Sequence, residues 1–252
     1  MTRQKHTTIR KTAIAALGCG ILMAGVESTG ANPKSAGQSC SWSTGFEYNG
    51  LGGVNATEVY TDGAGDALFI GGHFTTVDGI TMNNIVRWDG ATWSALVGPS
   101  GVGLYEAAWA DVFDMEVWND GSGDALYVAG TFTTAGGLTA NHIAKWDGTT
   151  WSALSGPSGV GTNATVFSLE VFGGDLYVGG NFSHAGGVMA TRIARWDGAA
   201  WHEVGPAATI VSSGVAAMLV HGGALYVGGG ISSVDGVTMN NIMRWDGSMF
   251  TN

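Results

Sequence analysis

Three sets of residues in this 252-residue chain have the means for chemistry. The first is a cation directly ahead of a Trp-Asp pair: Arg87, Lys145, Arg195 and Arg244. Such cations could hold an anionic ligand, since guanidinium and ammonium groups both bind carboxylate and phosphate. They stand in every copy of a repeated text, however, and a site for one ligand usually breaks symmetry. Pairing with an aspartate or packing over an aromatic ring is the expected role. The second set is two acidic turns, Asp62-Gly63-Ala64-Gly65-Asp66 and Asp120-Gly121-Ser122-Gly123-Asp124. Calcium takes six or more oxygens, and each turn offers two carboxylates, so plain hairpins are expected. The third set is the histidines His73, His142, His184, His202 and His221, whose spacing is not that of paired metal ligands. No metal and no cofactor are expected. Neither a Gly-x-Ser-x-Gly elbow nor a phosphate loop with lysine occurs, so no catalytic residue is assigned.

The elements that must position these groups are repeats. Ile193-Ala194-Arg195-Trp196-Asp197-Gly198-Ala199-Ala200-Trp201 has counterparts at Ile85–Trp93, Ile143–Trp151 and, in weaker form, Ile242–Phe250. Each reads as strand, Asp-Gly turn, strand, with the Asp-Gly pair supplying positive φ for a tight hairpin. Upstream of each copy is an apolar strand ending in two small residues, such as Leu176-Tyr177-Val178-Gly179-Gly180. Upstream again is a further strand, joined to it by a Gly-rich turn. The third strand is apolar on both faces: Ile193 points to one neighbour, and Ala194 and Trp196 to the other. Paired glycines are expected where the backbones of adjacent units approach. Four strands in about 50 residues, repeated, are the pattern of a propeller blade. The fold expected is all-β, a β-propeller of four four-stranded blades or a fragment of a larger ring.

Composition agrees. Glycine is abundant (43), and ten tryptophans can supply the cores. The formal charge of −10 disfavours nucleic acid as a partner. Residues 1–31 read as a secretory signal, with basic residues from Arg3 to Lys11 and then an apolar run shorter than the roughly 20 residues of a spanning helix. Cleavage would leave Cys40 as the one cysteine and no membrane span, placing the protein outside the cell, in the periplasm or on the cell surface. Residues 32–53 form an N-terminal segment in which Ser41-Trp42-Ser43 copies the fourth-strand text. That segment is expected to pack on the last blade and close the ring, giving a monomer. Residues 54–252 hold the repeats.

With Leu176–Gly180, Trp196 and Trp201 in that order, the chain resembles kelch repeats. The wording Gly180-Asn181-Phe182, then Arg192-Ile193-Ala194-Arg195-Trp196-Asp197, is similar to the kelch-like propeller of fungal cortical polarity-marker proteins and of secreted bacterial repeat proteins. The resemblance implies the propeller fold and leaves function open, because such rings serve as binding platforms and sometimes as enzymes. In an up-and-down blade the longer loops share one face, and loops carry function more often than strands. Asp78, Asn84, His142, Arg192, Asp235 and Asn241 are the candidate ligand-binding residues on that face, with Tyr105 and Trp109 in the connection after the first repeat. The expected function is a secreted or cell-surface binding or scaffold propeller for a protein or glycan. The alternative is an extracellular carbohydrate-active enzyme on the same scaffold.

Overall fold

The computed structural model of the protein describes residues 51–252 apart from 107–108, 206–213, 235–236 and 252. The leader, Cys40, the Trp42 segment and Asp235 lie outside the described residues. Within them all regular structure is β, arranged mainly as four antiparallel four-stranded sheets in which strand order is chain order. Sheet 1 comprises Leu51–Thr61, Asp66–Phe74, Ile85–Trp88 and Trp93–Ser94. Sheet 2 comprises Val112–Asn119, Asp124–Gly130, Ile143–Trp146 and Trp151–Ala153. Sheet 3 comprises Val166–Phe172, Asp175–Gly180, Ile193–Trp196 and Trp201–Glu203. Sheet 4 comprises Val215–His221, Ala224–Gly229, Ile242–Trp245 and Phe250–Thr251. Sheet 1 thus starts at Leu51, a turn earlier than the repeat text suggests. None of the sheets closes on itself.

The Asp-Gly turns work differently from a two-residue hairpin. Trp88 pairs with Trp93 across a four-residue loop, and the copies in sheets 2, 3 and 4 repeat this register. Only the glycine is left-handed (Gly198, φ 99°), which a side chain would resist. The aspartate acts through its carboxylate: Asp197 Oδ1 accepts from the backbone N–H of Ala199 and Ala200. These bonds, with one from His202, hold Asp197 down at about 2. Across each turn the aromatic pair packs ring on ring, as in Trp196–Trp201 at 5.1 Å between centroids. Such pairs add about 0.5–1.5 kcal/mol beyond area burial.

Consecutive sheets pack face to face over shared apolar cores. Ala194 and Trp196 belong to the core between sheets 2 and 3, whereas Ile193 belongs to the core between sheets 3 and 4, as the alternation requires. The paired glycines have separate jobs. A side chain on Gly179 would meet Val215 of the next sheet, its Cβ 2.5 Å from Cγ1; one on Gly180 would meet Thr165 O, 2.2 Å away, at the start of its own sheet. The second job follows from a bulge between Val166 and Ser168 that brings the first strand close. Only the first glycine therefore serves packing between sheets.

Candidate functional site

The cations ahead of Trp-Asp are tied into their own sheets. Arg87 pairs with Asp62, Lys145 with Asp120 and Arg195 with Asp175. Burial raises the pKa of Asp120, but the combined hydrogen bonds from Lys145, Ser122 and Tyr127 outweigh it and hold the group well below the usual carboxylate range. The acidic turns thus spend carboxylates on a buttress between the first and third strands. The turn of sheet 4, Gly222-Gly223, has no aspartate to offer Arg244. Among the described residues no group of three or more His, Cys, Asp or Glu is placed to hold a metal.

The candidate residues Asn84, His142, Arg192 and Asn241 occupy one equivalent position, just ahead of the third strand, one in each repeat. All four are left-handed, with φ between 65° and 70°. In each, the backbone N–H donates to a carbonyl at or just beyond the end of the second strand, as Asn84 does to Phe74 O. Their side chains tie down loops. Buried Asn84 accepts from Phe74 N and donates to Leu104 O, using both ends of its amide. His142 Nδ1 lies 2.9 Å from Thr162 O, and a carbonyl can only accept, so Nδ1 carries the proton. Burial lowers the pKa of His142, against the Thr162 bond and nearby Glu106. Arg192 Nη1 donates to Asn181 O. Asn241 is exposed. Asp78 lies at the tip of a small hairpin, where it and Gly79 are both left-handed. Asn84, His142 and Arg192 are thus engaged in holding loops, at a position that recurs once in each repeat.

A different cluster forms where the connection from sheet 1 to sheet 2 departs from the repeat. Here Leu104–Tyr105 adds a strand to the small hairpin of Thr134–Ala135 and Leu138–Thr139. After it, Trp109 lies flat on His73 of sheet 1, with ring centroids 4.3 Å apart and planes within 9°. The indole N–H donates to Asp111 Oδ2 at 2.9 Å. The hydroxyl of Thr131 donates to Trp109 O and accepts from Asp111 N. His73 Nδ1 lies 3.0 Å from Ala110 O and 3.5 Å from Asp111 Oδ1. Both edges of the stack are therefore fixed. Yet Trp109 remains 63% exposed, and Tyr105 nearby in the chain is exposed as well. An oriented indole with a carboxylate at its edge can accept an apolar face and a hydroxyl of one ligand at once. The sequence placed Trp109 and Tyr105 in this connection. It named His73 only as a histidine without paired metal-ligand spacing, and it missed Asp111, whose sole signal was the unequal length of connections 97–111 and 155–165.

A second cleft, of about 320 Å³, opens between sheets 3 and 4 and is lined by Tyr177, Arg195, Glu203 and Trp245 among others. The short turn of sheet 3 explains it. Asp62 and Asp120 of the longer turns crowd Gly148 and Gly198 of the following sheets, whereas the nearest neighbour of a Cβ on Gly247 would be Phe172 at 3.9 Å. Two of its polar side chains already have partners, Arg195 with Asp175 and Tyr177 with the indole of Trp245. The chain matches no family model and no curated protein.

Proposed function

We propose that the four sheets are blades of a kelch-like β-propeller acting as a secreted or cell-surface binding module, whose ligand is a glycan held on the face of the longer loops. The observation that carries this reading is the Trp109 plate. It departs from the repeat, and its ring is held by the His73 stack and the Asp111 bond with no ligand present. A pyranose presents axial C–H groups that suit the electron-rich face of an indole. Its hydroxyls can donate to a carboxylate such as Asp111. The basic and apolar leader supports export. The acidic balance of the chain disfavours phosphate-rich ligands.

The test is a glycan array followed by titration with the best soluble oligosaccharide, on the intact protein and on Trp109→Ala. Binding that falls at least tenfold in the variant, with the melting temperature unchanged, supports the proposal. No retained glycan, or equal retention by the variant, overturns it. The same oligosaccharides incubated and checked for released reducing ends separate binding from the carbohydrate-active alternative.

A further inference from the structure

The faces between consecutive sheets repeat one device. On the second and third strands of a sheet, a small residue and an isoleucine form a socket: Gly71 with Ile85, Ala129 with Ile143, Gly179 with Ile193. The first strand of the next sheet offers a valine: Val112, Val166 and Val215. Each valine shares a core with the isoleucine of the preceding sheet. Val112 Cγ1 lies 2.4 Å from where a Cβ on Gly71 would be, and Val215 Cγ1 lies 2.5 Å from one on Gly179.

Sheet 4 has the same socket, Gly228 with Ile242. Among the described residues nothing fills it. A Cβ on Gly228 would meet only Ala217 O and Asn241 O, at 3.8 Å or more, both in the same repeat. Ile242 is 54% exposed, where Ile85, Ile143 and Ile193 are at most 2% exposed. Leu219 stands on this face at the position of Glu58, Glu116 and Glu170 and is exposed too, so the uncovered face is more apolar than its buried equivalents. At the other end, Val54 holds the register of Val112, Val166 and Val215, opposite the second small residue. It is 48% exposed, and Val59 beside it is exposed as well. Among the described residues there is one unfilled socket and one unseated valine.

We propose that the occupant of the sheet 4 socket is Val54 of a second copy of this chain, and that two copies join head to tail into one ring of eight sheets. The contact is continuous with an interface that the chain already makes three times, so its shape and chemistry are specified by Val112, Val166 and Val215. A heterologous contact must either close or propagate. Two copies make each face of the pair satisfy the other, and eight units lie within the usual range for such rings. This proposal does not depend on the glycan reading.

The test is light scattering coupled to size exclusion, with native mass spectrometry, on the full chain as secreted. Twice the mass of one chain is expected. Val54→Asp and Ile242→Asp should each run as single chains with unchanged β-type circular dichroism, since both positions are exposed in the isolated chain. The wild type at the mass of one chain would overturn the proposal, and would mean that residues 1–50 or the chain's own first strand cover the socket. So would dimers that persist in both variants, or a ladder of higher masses.

Discussion

Val215 of sheet 4 stands directly over Gly179 of sheet 3, leaving 2.5 Å between its Cγ1 and the place a Cβ would take. The contact couples one repeat to the next through a residue with no side chain. Gly179→Ala should therefore cost about 1–3 kcal/mol, the usual cost of overfilling a packed core. Adding Val215→Ala should recover part of that loss by making room. A double-mutant cycle from denaturant titrations measures the coupling. Equal effects of Gly179→Ala with and without Val215→Ala would show that the contact is not the cause.

That glycine was legible in the sequence as a small residue closing a strand, but its partner was not. The repeat text fixes strand order, turn positions and the two-sided third strand, because those follow from residue period and local turn chemistry. Ile193 and Ala194 go to opposite cores as the alternation says. What escapes is anything set by the neighbour across a sheet. Gly180 looks identical to Gly179 in sequence yet opposes its own first strand, through a bulge that no residue type announces. The candidate site fared in the same way. Asn84, His142, Arg192 and Asn241 look like free polar loop residues, but all four are left-handed and three use their side chains to hold backbone carbonyls. His73 and Asp111 are 38 positions apart in the chain, and only the fold brings them together around Trp109 and Ala110.

Asn84 and Asn241 test whether that shared position is architectural. Glycine accepts the left-handed backbone at both places, so Asn→Gly removes only the side-chain bonds. Asn84→Gly leaves Phe74 N and Leu104 O without these partners and should cost about 1–3 kcal/mol. Asn241→Gly, at an exposed position, should stay within about 0.5 kcal/mol of the parent protein. Thermal or urea melts decide it. An Asn84→Gly protein that melts like the parent but loses ligand would make Asn84 a binding residue.

Acid should weaken the fold in a defined window. Asp147 and Asp197 are both held at about 2: burial works against this for Asp147 and its Thr149 and Thr150 bonds outweigh it, while Ala199 and His202 lead for Asp197. An unfolded aspartate titrates near ~3.9. A depressed folded pKa means that the unfolded chain binds more protons as pH falls, so stability is full above pH 4 and drains away down to pH 2. Melting temperatures from pH 7 to pH 2 should be flat at first and then fall below pH 4. Asp197→Asn should start lower at pH 7 and lose less over the same interval. A melt that declines between pH 7 and pH 5 instead would point to the histidines.

The Trp109 plate makes the sharpest separation between holding a ring in place and touching a ligand. Asp111 does both in the proposed site, since Oδ2 accepts from the indole and the carboxylate is available to a hydroxyl. Asp111→Asn keeps an acceptor for the indole N–H, whereas Asp111→Ala removes it and frees the ring to turn. Oligosaccharide affinity should therefore fall in the order Asp111→Asn, Asp111→Ala, Trp109→Ala. About threefold or less is expected for the first and at least tenfold for the last, on the scale of an aromatic contact worth about 1.4 kcal/mol or more. His73→Ala should resemble Asp111→Ala, because it removes the surface on which the indole lies. All three positions are at the surface or close to it, so melting temperatures should stay within a few degrees of the parent. The order matters more than the sizes. If Asp111→Asn were as damaging as Trp109→Ala while the indole fluorescence stayed unchanged, the charge rather than the ring would be the recognition element. The ligand would then be a cation or an amine instead of a neutral sugar.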